Sequence, residues 1–133
     1  MIWLLDTNIF IPALNGRPSV RDRLNRATDA GEVVTSVLVL GELLHGAHCS
    51  KRSAENVRAV EKEISGIRIL PVTEAISRRF ADLKTALRQK GIAKSDVDLL
   101  IATTALEHGA TLVSNDGALL AEDVPGLVVE SWV

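Results

Sequence analysis

The chain is 133 residues long, 47% hydrophobic, and carries a formal net charge of −2. That length and apolar content suit one domain with a continuous core, and the near-neutral balance excludes a general nucleic-acid-coating protein. A single cysteine, Cys49, excludes an internal disulfide, and no apolar run approaches the roughly 20 residues of a membrane-spanning helix.

Taken in order, residues 2–5 (IWLL) predict a buried strand ending on Asp6. Residues 8–14 predict a short helix, closed by the turn signal Asn15-Gly16-Arg17-Pro18. An amphipathic helix from Ser19 to about Ala30 stops at Gly31, and VVTS (33–36) is a short strand. The apolar segment VLVLGELLHGAH has the length and leucine spacing of a helix, and another helix is expected from about Ser53 to Ile64, stopped by Gly66. IRILPV (67–72) reads as a strand, because its proline cannot extend a helix. Thr73 is placed to cap a helix whose stripe is Ile76, Phe80, Leu83 and Leu87. Ser95 opens a helix apolar nearly all round, ended by Gly109; ATLVS (110–114) is a strand, NDG a turn, and GLVVES (126–131) a last strand. Strands alternating with helices predict a three-layer α/β/α sandwich around a central, mainly parallel sheet of four to five strands, in a single domain over 1–133.

In such sheets ligands gather at the carboxyl ends of the strands, where strand order reverses. Asp6 and Asp116 both follow strand ends, Asp98 lies in the first turn of the apolar helix, and Glu42 lies in a helix that begins just after another strand end. Each has an alternative role. Asp6 can cap the next helix, Ser95 to Asp98 fits a capping box, and Asp116 suits a turn. Glu42, set among Leu38, Val39, Leu40, Leu43 and Leu44, is expected to be buried and to need a cation. Four acids on one rim repel one another unless a positive ion sits among them, and oxygen-only donors point to Mg²⁺ or Mn²⁺. This is the inventory of a metal-dependent nuclease.

Other constellations are poorer. Glu42-x-x-His45 is half a di-iron motif without a second copy, and His45, His48 and Cys49 lack a distant fourth zinc ligand. No glycine-rich phosphate loop and no Gly-x-Ser-x-Gly elbow occurs. A phospho-accepting receiver domain is expected to offer a late lysine, but every Lys and Arg lies between Arg17 and Lys94.

The segments LLDTN (4–8), TSVLVLGELLHGA (35–47), DLLIATTALEHGATLVSND (98–116) and GLVVESW (126–132) together resemble the PIN-domain ribonucleases, most closely the VapC toxins of bacterial toxin–antitoxin pairs. The resemblance implies a homodimeric, Mg²⁺- or Mn²⁺-dependent endoribonuclease, and the absence of a membrane-spanning run and of a secretory-type start makes a cytoplasmic location the expectation. Its four acids fall on Asp6, Glu42, Asp98 and Asp116, and its small polar positions on Thr7, Asn8 and Ser36. Asn115 and Asp96 are expected to support these acids; Asp96 stands two residues before Asp98, so on a helix the two cannot point the same way. The aromatic that the family carries after its fourth acid is replaced here by Leu119 or Leu120. The resemblance also implies an antitoxin partner, for whose apolar groove Ile9, Phe10, Ile11 and Leu14 are the candidates. The basic residues Arg78, Arg79, Lys84, Arg88, Lys90 and Lys94 are placed to carry RNA phosphates past the acids. A non-catalytic partner-binding module with this fold and a housekeeping RNA-processing nuclease are the alternatives.

Overall fold

The computed structural model describes residues 1–133, apart from the side chains of Ala118 and Leu119. The elements run β1 (Ile2–Leu5), α1 (Thr7–Leu14), α2 (Pro18–Ala30), β2 (Glu32–Ser36), α3 (Val37–His48), α4 (Ser53–Ile64), β3 (Arg68–Leu70), α5 (Glu74–Gln89), α6 (Asp96–Glu107), β4 (Thr111–Val113), α7 (Gly117–Asp123) and β5 (Val129–Glu130). The five strands form one parallel sheet in the order β3-β2-β1-β4-β5. Among the described residues, no helix is long and apolar enough to cross a membrane.

β1 is central because it can be. Trp3, Leu4 and Leu5 are buried, and Leu4 pairs with Val34 on one side and Leu112 on the other. A strand apolar on both faces loses least by lying between helix layers. From β1 the chain steps outward through β2 to β3, then crosses back through α5 and α6 to β4 on the opposite side. Strand order therefore reverses between β1 and β4, and Asp6 and Ser114 stand at that reversal. The Asp6 N–H donates to the Val113 carbonyl at 2.9 Å, carrying the ladder up to the rim.

Local chemistry sets the helix boundaries. Ser36, Thr73 and Ser95 each accept a backbone N–H with the side chain at the start of α3, α5 and α6. Gly31 closes α2 where a Cβ would lie 2.3 Å from the Met1 carbonyl oxygen, so only glycine lets the two backbones approach. Pro12 lies inside α1 and has no N–H to offer the carbonyl of Asn8 one turn earlier. α6 is buried along most of its length, as its composition predicts, with Leu99 and Ile101 to Ala105 all buried.

Three elements differ most from the sequence reading, the others shifting by a residue at an end. β3 covers only 68–70 of the expected 67–72, since Pro71 cannot continue a ladder. β5 covers two residues of the expected six, because Pro125 and Gly126, the latter at φ +83°, hold the chain in a turn. α7, at 117–123, was expected only as a turn; seven residues starting on glycine leave little periodic signal. Leu120 of this helix packs against the core, while the Leu119 side chain lies outside the described residues.

Candidate active site

Asp6 is half-buried at the end of β1, with its Oδ1 accepting the Thr7 N–H at 2.8 Å. Its other oxygen, Oδ2, accepts from the Ser114 hydroxyl at 3.0 Å, and the same hydroxyl lies 2.8 Å from Asp116 Oδ1. One hydroxyl thus bridges two carboxylates from the two strands that flank the reversal. Burial pushes the Asp6 carboxyl above its ordinary value of 3.8, against the lowering effect of the bonds from Thr7 and Ser114; the charges of Asp116 and Asp98 raise it further. None of the ion pairs described includes Asp6, Glu42, Asp98 or Asp116. Asp6, Asp98 and Asp116 therefore share one neighbourhood with no side-chain cation paired to them among the described residues.

Asn8 fastens the arrangement. Its amide nitrogen donates to Ser114 Oγ at 3.2 Å and to Asp116 Oδ1 at 3.1 Å, two acceptors that are themselves only 2.8 Å apart. Its amide oxygen accepts the Asn115 N–H at 3.1 Å, which fixes which way the amide points. The Asn8 backbone carbonyl, left unpaired within the helix by Pro12, accepts from Asn115 Nδ2 at 3.2 Å. Thr7 hydrogen-bonds Glu42 Oε1 at 3.1 Å, tying the α3 acid to the same corner. Thr7, Asn8 and Asn115 accordingly contact the acids or one another.

The other expectations separate. Glu42 is exposed, not buried: Val39, Leu43 and Ala47 form the inward stripe of α3, and Glu42 falls on its flank. Ser36 is buried and spends its oxygen on the Leu38 N–H, so it starts α3 and touches no acid. Asp98 lies in the first turn of α6, its N–H bonded to Ser95 Oγ. Asp96 faces away and pairs with Lys84 at 2.7 Å. Among the described residues, no three His, Cys, Asp or Glu side chains are grouped tightly enough to hold an ion by themselves. Ser114, not among the sequence candidates, is the hub; its signal was a hydroxyl at a strand end immediately before Asn115 and Asp116.

The basic residues of α5 and the loop after it are mostly engaged. Arg78 pairs with Glu74, Arg79 with Glu107, Lys84 with Asp96 and Lys94 with Asp123; Arg88 and Lys90 have no side-chain partner among the described residues.

The four expected groove residues also divide. Ile9 and Phe10 are core, at 1% and 0% exposure, because they lie on the face of α1 turned to the sheet. Ile11 and Leu14 line an apolar groove of about 390 Å³ between α1, α3 and α4, with Leu43, Ala47 and Val60. Thr7 and Glu42 also line it, so one of the four acids borders the groove.

Residues 3–123 match the PIN domain family. The chain belongs to that family. Among PIN proteins it is 33% identical over 133 residues to Ribonuclease VapC2 of Rickettsia felis, covering 99% of this chain and 98% of that one. It is 31% identical over 131 residues to the tRNA(fMet)-specific endonuclease VapC of Shigella flexneri, covering 98% and 97% of the two chains. Its fold superposes with TM-score 0.92, at 32% identity and over the full length of both chains, on the crystal structure of VapBC2 from Rickettsia felis bound to a DNA fragment from their promoter. This PIN domain is thus similar to ribonucleases over its whole length, and its acids cluster at the strand-order reversal of that fold.

Proposed function

We propose that this PIN domain is a metal-dependent endoribonuclease that hydrolyses RNA phosphodiester bonds and is held inactive by an antitoxin protein. The observation that carries the reading is the Asp6–Ser114–Asp116 bridge, with the charge of Asp98 bearing on the same carboxyl. A half-buried carboxyl pressed by two others and lacking a cationic side chain is stabilised by a bound cation. All the donors are oxygens, which suits Mg²⁺ or Mn²⁺, and such ions keep several waters and need only one or two carboxylates directly. The residues present fit that requirement.

Asp6, Glu42, Asp98 and Asp116 are the residues assigned to the ion, one or two of them directly and the others through its bound waters. When bound, it supplies Lewis-acid stabilisation of the phosphate and lowers the pKa of a bound water. The chain's own contribution is placement. Ser114 and Asn8 fix the Asp6 and Asp116 oxygens, so little rearrangement is left to the reaction. Arg88 and Lys90 are assigned to phosphate contacts away from the acids, a sequence-independent and salt-sensitive term.

The antitoxin is assigned to the groove formed by Ile11, Leu14, Leu43, Ala47 and Val60. An amphipathic helix laid there ends beside Glu42, close enough to bring a basic side chain toward the acids. The chain is also assigned as a homodimer, as its likeness to VapC toxins implies.

The test is cleavage of labelled RNA by the purified chain without its partner, in Mg²⁺ or Mn²⁺, against Asp6→Asn. Metal-dependent cleavage lost in the variant is expected. Metal-independent cleavage, or equal activity in the variant, overturns the mechanism; partner binding without cleavage returns the reading to a non-catalytic module.

A further inference from the structure

A second cleft adjoins the acids. It measures about 470 Å³ and is lined by Ser114, Asn115, Ala121, Glu122, Val129 and Ser131. Its floor is shared with the active site, because the Ser114 side chain that borders it is the same one that bridges Asp6 and Asp116. The volume falls within the range of about 300–1,000 Å³ that small planar ligands occupy, and Ala121 and Val129 give it apolar walls.

The polar lining holds one charged, acceptor-only side chain, Glu122. Glu122 is exposed and has no hydrogen-bond or ion-pair partner among the described residues, whereas the neighbouring Asp123 is held by Lys94. Asn115 commits one amide proton to the Asn8 carbonyl, which leaves its Oδ1 and its second N–H available. Ser131 Oγ accepts only a long 3.5 Å contact from the Val133 N–H. A ligand edge carrying N–H donors is complementary to the Glu122 carboxylate, and an edge of bare carbonyls is not.

We infer that this cleft, formed by α7 and the chain around β5, seats an unpaired nucleobase beside the scissile phosphate and that Glu122 selects bases bearing an exocyclic amino group. The inference rests on the ribonuclease reading above. Single-stranded RNA is read through bases splayed out of the stack, by contacts to their hydrogen-bonding edges. Guanine meets a carboxylate best, presenting N1–H and N2–H₂ as adjacent donors; cytosine and adenine each offer one amino group. Uracil has a single N3–H flanked by two carbonyls, so a carboxylate that accepts from it also faces an oxygen. An unpaired phosphate on the base's own sugar then lies toward Ser114 and the acids.

Two measurements on the intact chain separate this inference from the reading it rests on. Binding of fluorescein-labelled tetranucleotides of G, A, C or U is followed by anisotropy in EDTA, and cleavage of a mixed-sequence RNA in Mn²⁺ is mapped by sequencing product ends. The wild type is expected to favour amino-bearing bases over uracil by about tenfold in both assays. Glu122→Gln, which swaps one acceptor oxygen for a donor, is expected to cut that preference to about twofold while leaving the maximal cleavage rate within about twofold. Cleavage with no uracil discrimination, or discrimination unchanged in both Glu122→Gln and Glu122→Ala, overturns the cleft. Base-selective binding that depends on Glu122, without metal-dependent cleavage, upholds the cleft and overturns only the nuclease reading.

Discussion

The Ser114 hydroxyl lies 3.0 Å from Asp6 and 2.8 Å from Asp116, so one proton serves two carboxylates on adjacent strands. Ser114→Ala leaves the acids in place but removes the group that separates and orients them. Loss of a positioning contact of this kind costs roughly 10–100-fold in activity. The Ser114 bond also lowers the Asp6 pKa, so its loss raises that value further and shifts the acid limb of the rate profile to higher pH. A pH–rate profile of kcat/KM for wild type and Ser114→Ala checks both effects.

Asp6 predicts a trade between stability and activity. Its carboxyl titrates above 3.8 in the folded chain, so the folded state holds that proton more tightly than the unfolded state. Stability from this group is therefore fully present below 3.8 and is lost as pH rises through the folded value. Asp6→Asn removes the charge but keeps an oxygen for the Thr7 N–H, and asparagine caps helices well. In EDTA at pH 7 the variant is expected to melt a few degrees higher than wild type, a gain of about 0.5–2 kcal/mol. The difference should vanish below pH 3.8, and cleavage should be abolished.

Metal binding should read out as stability. Mn²⁺ at a hundredfold excess over its Kd raises the folding free energy by about 2.7 kcal/mol, whatever the reaction. Thermal melts with and without Mn²⁺ are expected to show this rise in wild type and to lose most of it in Asp6→Asn and Asp98→Asn. The rise should also shrink at acid pH, where protons compete for Asp6.

Phe10 and Ile11 are neighbours with opposite roles. Phe10 is wholly buried, and Phe10→Ala should cost about 3–5 kcal/mol in urea denaturation. Ile11 is 53% exposed on the groove, and Ile11→Ala should change stability by no more than about 0.5 kcal/mol. Calorimetric titration with the antitoxin should show the reverse ranking, with Ile11→Ala the weaker binder among folded variants.

The contrast also marks where sequence reading ends. IWLL followed by Asp6 was legible, because a run apolar on both faces predicts a central parallel strand and strand ends in such sheets form sites. α6 was legible from its lack of a polar face. The orientation of α1 was not: an eight-residue helix with apolar residues on most sides does not reveal whether Phe10 or Ile11 meets the sheet. Glu42 misled because its apolar neighbours pack on two different partners and leave a flank open between them. Ser114 carried only a faint signal, since a small hydroxyl at a strand end acquires its role only when Asp6, far earlier in the chain, is brought beside it and Asp116. The same holds for the basic residues of α5, whose acidic partners on other elements become visible only in three dimensions.

The bond from Ser114 to Asp6 spans 108 positions of a 133-residue chain. Protein synthesis proceeds at roughly 5–20 residues per second, so some 5–20 seconds separate the making of its two ends. Through that interval β1 has no β4 beside it, and Asp6 has neither Ser114 nor Asp116. On the assignment of Asp6 and Asp116 to the ion, an RNA-cutting enzyme built in this order cannot be armed while most of its own message is still being read.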